Sequence, residues 1–187
     1  METWRGLDGA RFDGVVLPLE PGDSMDLGKG LTVTAFRTVH RVVSQAYVIS
    51  SQRKRLRADL VGLTGPEIAA RRAAGEEVND TWDVDELAFS GDTRIEGLTD
   101  HRRILQSRRL LMEVTFLDER VSVEMARKMG HIHLDEVLHD QALFANERIV
   151  FTHRSSRYRE AEARALLKEK LPPALAGRVL SFDGQNP

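Results

Sequence analysis

An α/β fold, with sheet layers flanked by helices, is the class the sequence predicts, and three observations predict it. From residue 87 onward, strand-like apolar runs alternate with stretches of helical length. Three polar residues suited to metal binding, His40, Asp92 and His153, each follow such an apolar run. The C-terminal ends of strands are where layered α/β proteins place their chemistry. Finally, the 187 residues contain no internal repeat or low-complexity linker, so they read as one domain.

The elements follow in order. Residues 1–30 are rich in Gly and Asp, carry Pro18 and Pro21, and read as short strands and turns. Leu31-Thr32-Val33-Thr34-Ala35-Phe36 and Gln45-Ala46-Tyr47-Val48-Ile49-Ser50 read as strands by composition and partial alternation. A basic run, Arg53-Lys54-Arg55-Leu56-Arg57, follows. Thr64-Gly65-Pro66-Glu67 is a helix start: Thr64 can cap, Glu67 can close a capping box, and Pro66 suits the first turn. That helix should stop near Gly75, and residues 76–86 read as an acidic, exposed stretch. Strands are expected at 87–90, 109–115, 148–152 and 178–182, and helices near 119–129, 134–144 and 157–171.

Composition narrows the chemistry. With 41% hydrophobic residues the chain can build a core. Its formal net charge of -2 is not that of a nucleic-acid-binding polycation. The absence of cysteine removes disulfides and thiolate ligands, so any metal would be held by His, Asp or Glu. No run is apolar enough to span a membrane, and Met1-Glu2-Thr3-Trp4-Arg5-Gly6 lacks the apolar region of a signal peptide. A cytoplasmic location without membrane attachment is the expectation.

Each candidate residue has a plain reading beside a functional one. His40 alone could be a strand-end histidine, and Asp92 a turn or cap residue. Glu113 could be a structural carboxylate. Arg53, Lys54, Arg55 and Arg57 could be a solvated face or an RNA grip. His101 and His139 read as surface residues. Trp4 and Trp82 lie in irregular stretches and could pack or line an interface.

Six segments in fixed order go further. They are Pro18-Leu19-Glu20-Pro21-Gly22-Asp23, His40 to Tyr47, Ser90-Gly91-Asp92-Thr93, Glu113-Val114-Thr115-Phe116, Gly130-His131, and Thr152-His153-Arg154-Ser155-Ser156-Arg157-Tyr158. Together they resemble the metallo-β-lactamase superfamily, and within it the ribonuclease Z branch that trims the 3′ end of precursor tRNA. The resemblance spans roughly residues 17–184. It implies a partial αββα sandwich, the C-terminal half of that fold. His40 and His153 would be metal ligands, and Asp92 would bridge two ions. Glu113 and His131 would form a proton relay, and Ser155, Arg157 and Tyr158 would shape the phosphate end. The implied cofactor is zinc or manganese, one or two ions once the site is completed. Imidazole exchanges protons near neutrality, and arginine binds phosphate bidentately, so the residue types suit those roles.

There are departures from the family pattern. The His-x-His-x-Asp-His motif that should precede His40 is absent, so 1–187 reads as a single domain lacking that N-terminal half. Met112 stands where the family has His before the glutamate, and Ile132 stands after His131 where it has Ser. The stretch from His40 to Asp92, which in the family includes a tRNA-gripping arm, is short, although Gly65-Pro66 remains. His131-Ile132-His133-Leu134-Asp135-Glu136 looks like the missing motif but follows a helix-like segment, and it reads as a helix start with His133 or Asp135 near the N-terminus.

The implied function is metal-dependent phosphodiester hydrolysis, on precursor tRNA or a related RNA. One alternative is a degenerate, non-catalytic module of the same fold that binds nucleic acid or a partner. A third reading is a hydrolase of a small ester or lactam, on a scaffold that hosts many chemistries. A half-fold would leave its inner sheet face apolar and open, so a second copy of the chain or a complementary N-terminal-half chain is expected as a partner.

Overall fold

A computed structural model describes residues 16–181. Seven strands form one sheet in sequential order. They are β1 (Ser24–Gly28), β2 (Leu31–Arg37), β3 (Gln45–Leu56), β4 (Asn79–Phe89), β5 (Arg109–Glu113), β6 (Arg148–Thr152) and β7 (Val179–Leu180). The first four pair antiparallel, and β4 to β7 pair parallel. Parallel pairing needs crossovers, and these carry the helices. Between β4 and β5 lie α2 (Glu96–Thr99) and α3 (Arg102–Gln106); α1 (Gly65–Ala73) lies earlier, between β3 and β4. The crossover from β5 to β6 holds α4 (Val123–Met129) and α5 (Leu134–His139), and that from β6 to β7 holds α6 (Glu160–Lys170) and α7 (Pro173–Ala176).

The sheet is unequal on its two faces. Val48, Ala88, Leu110, Ile149 and Val179 lie side by side across the strands and are fully buried. They share one core with Leu98, Ile104, Ala126, Val137, Leu167 and Leu175 from the helices. The other face carries Val33, Ile49, Leu87, Leu111, Val150 and Leu180, none of them in that core. Phe89, on the same face, is 43% exposed. Every strand has two sides, and here the helices cover one while the other stays apolar and open among the described residues. This is the α/β layer the sequence predicts, with helices on a single face.

Several boundaries differ from expectation. Residues 79–86, read as an exposed acidic stretch, form most of β4, and the basic run 53–56 is the end of β3. The two pair with each other beyond the reach of β2 and β5, as a projecting two-stranded ribbon. Cross-strand ion pairs, Arg53 with Glu86 and Arg55 with Asp80, offset the opposite charges of the two segments. Helices α2, α3 and α7 are too short to leave a periodic signature. The Thr64–Glu67 capping box forms as expected. His133 caps α5, with its Nδ1 accepting from the Asp135 N–H, so the His131-to-Glu136 segment is a helix start. Trp4 lies outside the described residues. No helix among them is long and apolar enough to cross a membrane.

Candidate metal centre

Because β3 runs opposite to its neighbours, β2 and β4 point the same way, and β5 and β6 run parallel to β4. The C-terminal ends of these four strands therefore meet at one edge of the sheet. His40 follows β2, Asp92 follows β4, Glu113 ends β5, and His153 follows β6. The connection between α4 and α5 brings a fifth residue, His131. A short parallel bridge between Phe116 and His133 lays that connection beside the end of β5.

Backbone contacts fix the loops. Gly91 takes φ +59, and a Cβ there would lie 2.5 Å from the Gln45 carbonyl oxygen, so only glycine lets the Asp92 loop sit this close to β3. The Ser44 hydroxyl donates to the Asp92 carbonyl at 2.8 Å. Gly130 ends α4 with φ +91. A Cβ there would meet His40 Nδ1 at 2.7 Å. His153 itself takes φ +58, a left-handed conformation rare for a side-chain-bearing residue and frequent at functional sites.

Glu113 organises the centre. Its side chain is 1% exposed, and it accepts four hydrogen bonds. Oε1 accepts from the Thr93 N–H at 2.7 Å and from His131 Nδ1 at 3.0 Å. Oε2 accepts from the Thr115 hydroxyl at 2.6 Å and from the Ile132 N–H at 3.3 Å. Thr115 has one hydroxyl proton, and it goes to Glu113, so its oxygen accepts from His153 Nδ1 at 2.9 Å. His40 donates its Nδ1 proton to the Gly130 carbonyl at 2.8 Å. These partners place a proton on Nδ1 of all three imidazoles, which leaves Nε2 as the nitrogen available to a ligand. A hydrogen bond to the far nitrogen orients metal-binding histidines in this way.

Among the described residues, Asp92, His131 and His153 present ligand atoms that all lie within 4.8 Å of one another. His153 Nε2 is 3.4 Å from Asp92 Oδ2, and the His131 and His153 rings stack at 5.0 Å. His40 stands next to His131, ring centre to ring centre 5.0 Å, but outside that three-residue group. Two imidazoles and a carboxylate suit zinc and other borderline divalent ions. Asp92 and His153 are about two-fifths exposed and open to a ligand, whereas His131 is 17% exposed.

The expected phosphate end divides. The Ser155 backbone N–H donates to the Thr115 carbonyl, which ties it to the floor of the site, and Arg157 is exposed beside it. Tyr158 does not face a ligand. It is 1% exposed, its hydroxyl accepts from the Leu117 N–H and donates to Asp118, and Arg120 lies over its ring. Burial pushes its hydroxyl up from the usual range, and the Arg120 guanidinium holds the Asp118 carboxyl below its own. Its expected place in the phosphate site is thereby corrected: the hydroxyl is consumed inside the fold, and the residue anchors the loop that carries His153. Met112 and Ile132, two of the departures from the family pattern, bury their side chains fully in the core, and Ile132 reaches the site only through its N–H to Glu113. His139 is at the surface as expected, while His101 binds the Arg37 carbonyl through Nε2.

Thr115, Ser44 and Gly130 each lie inside one of the six segments, yet nothing in the sequence alone assigns them a role. Their contribution is a hydrogen bond or a missing Cβ, and neither leaves a mark on composition.

No family model matches the chain. Among curated proteins it is similar to tRNase Z TRZ1 of Arabidopsis thaliana, 37% identical over 183 residues, covering 97% of this chain and 65% of that protein. It is also similar to the chloroplastic tRNase Z TRZ2 of the same plant, 35% identical over 171 residues, covering 90% of this chain and 48% of that protein. The chain thus spans less than two thirds of the relatives it matches. Among solved structures, the metallo-β-lactamase fold protein YhfI from Bacillus subtilis superposes with a TM-score of 0.52 at 15% identity, over 89% of this chain and 52% of that one, a likeness of fold alone. These matches show the chain to be homologous to part of the tRNase Z proteins, with a fold like that of a metallo-β-lactamase fold protein.

Proposed function

We propose that this chain is the part of a metal-dependent phosphodiesterase that carries Asp92, His153 and the His131–Glu113 pair, acting on the 3′ end of precursor tRNA or a related RNA. The carrying observation is the shared tautomer: three imidazoles at one sheet edge, each with Nε2 left free by a structural acceptor on Nδ1. The tRNase Z relatives direct the reading toward RNA.

The donor set suits divalent ions, zinc or manganese, and His40, Asp92 and His153 would hold them when two are bound. When bound, such an ion supplies Lewis acidity and lowers the pKa of water at the site. The chain's own residues do the rest. Asp92, with two carboxylate oxygens, can serve more than one ion. Glu113 holds the Nδ1 proton of His131, which leaves Nε2 to carry a proton to the departing oxygen. Arg157, exposed four residues after His153, offers a guanidinium to phosphate.

The open apolar face lies beside this edge, and we assign to it a polypeptide partner, either a second copy of the chain or a segment bearing the His-x-His-x-Asp-His motif. On the projecting ribbon, Trp82 is 44% exposed with the Arg55 guanidinium 5.6 Å from its ring centre, a stacking surface suited to single-stranded RNA.

The test is cleavage of an RNA bearing a 3′ extension, with zinc or manganese, by the chain alone and mixed with a polypeptide that supplies the missing segment. Cleavage abolished by chelation and by Asp92→Ala is expected. Metal-independent RNA binding without cleavage in either arrangement overturns the proposal in favour of a non-catalytic binding module.

A further inference from the structure

We infer that the first divalent ion this chain takes up binds Asp92, His131 and His153, and not His40. The inference rests on reading the strand-end cluster as a metal centre, and it reassigns His131 from proton relay to ligand in the singly loaded chain.

The geometry carries it. A tetrahedral zinc with bonds near 2.1 Å separates its donors by about 3.4 Å. Asp92 Oδ2 and His153 Nε2 already stand 3.4 Å apart. The third donor of that group is supplied by His131, within 4.8 Å of both. His131 is also supported as ligands usually are. A buried carboxylate, Glu113, holds its Nδ1 proton and fixes its ring, the outer carboxylate of a carboxylate–histidine–metal triad. Thr115 extends the same carboxylate's hold to His153, so one group orients two of the three ligands. By contrast, His40 is tied through a different loop, to the Gly130 carbonyl, and its ligand atom falls outside the group.

Nε2 of His131 has one lone pair. While it binds an ion it cannot carry a proton to a leaving group. With an ion held there, His131 could not also serve as the proton relay, so the singly loaded chain would be metal-bound and hydrolytically silent.

Two measurements test this on the intact chain. In the first, cobalt(II) is titrated and its visible absorption followed for wild type, His131→Ala, His153→Ala and His40→Ala, with circular dichroism confirming the fold. Affinity falling by more than about tenfold in His131→Ala and His153→Ala, with His40→Ala within twofold of wild type, is expected. Loss in His40→Ala with retention in His131→Ala overturns the inference while leaving the metal centre intact. No binding by wild type removes the metal centre itself. The second needs no substitution: on zinc addition, the Nε2 resonances of His131 and His153 shift and that of His40 does not. A shift of His40 without His131 contradicts the assignment.

Discussion

Glu113→Gln tests the logic of the site with the smallest change of shape. Four donors converge on the Glu113 carboxylate, and an amide has an oxygen for only two of them. Suppose the new NH2 group takes the Oε2 position. It then donates to Thr115, whose hydroxyl proton must turn to His153 Nδ1, which moves the imidazole proton to Nε2. Suppose instead it takes the Oε1 position. It then opposes the Thr93 N–H at 2.7 Å and donates to His131 Nδ1, which moves that imidazole's proton to Nε2. Either way one histidine loses its ligand lone pair. An outer carboxylate of this kind is worth about 10–100-fold in metal affinity. The buried N–H left facing another donor costs roughly 1–3 kcal/mol. For a chain of this size that lowers the unfolding midpoint by roughly 2–12 °C. Competition against a chromophoric chelator reads the affinity, and thermal unfolding in chelator reads the apo-protein. Unchanged zinc affinity together with an unchanged apo midpoint would refute the proton assignments on which the site description depends.

Three further outcomes are expected. Gly130→Ala places a side chain in a left-handed position, at about 1–2 kcal/mol, and drives a Cβ to within 2.7 Å of His40 Nδ1. The unfolding midpoint should fall by roughly 2–8 °C, with the His40 resonances displaced; an unperturbed His40 contradicts the packing. Asp85 offers a pH test away from the metal. Burial pushes its carboxyl up, but hydrogen bonds from Arg103 and Ser50 hold it below the usual carboxylate range overall. A depressed folded-state value stabilises above the ordinary carboxylate pKa and is lost as pH falls through the folded value. Wild type should therefore lose stability toward acid more steeply than Asp85→Asn, and parallel curves sink this account. The open sheet face should drive association at micromolar concentration, relieved by Leu111→Lys with Val150→Glu; sedimentation of wild type as a clean monomer removes the case for a partner on that face.

The strands that carry the site were legible because each is a short apolar run ending in a residue of a different chemical kind: Phe36 before His40, Phe89 before Asp92, Phe151 before His153. Helix starts were legible at Thr64 and His133 because a cap needs only residues three apart. The first half of β4 was not. Its acidic residues look solvated until their basic partners on β3 are known, and that pairing is a long-range fact. Tyr158 was misplaced for a related reason. A motif preserves the order of residues but does not say which way a ring turns, and this one turns into the core. The choice between His40 and His131 as ligand was also beyond the sequence, since it depends on how far the α4–α5 connection reaches over the end of β5.

Whether the strand-end cluster holds a divalent metal is decided by elemental mass spectrometry of the purified chain, beside an Asp92→Ala, His153→Ala double variant. Near-stoichiometric zinc or manganese in wild type, lost in the double variant, is the predicted result. A wild-type chain that stays metal-free after zinc loading, or a double variant that retains its metal, would contradict it.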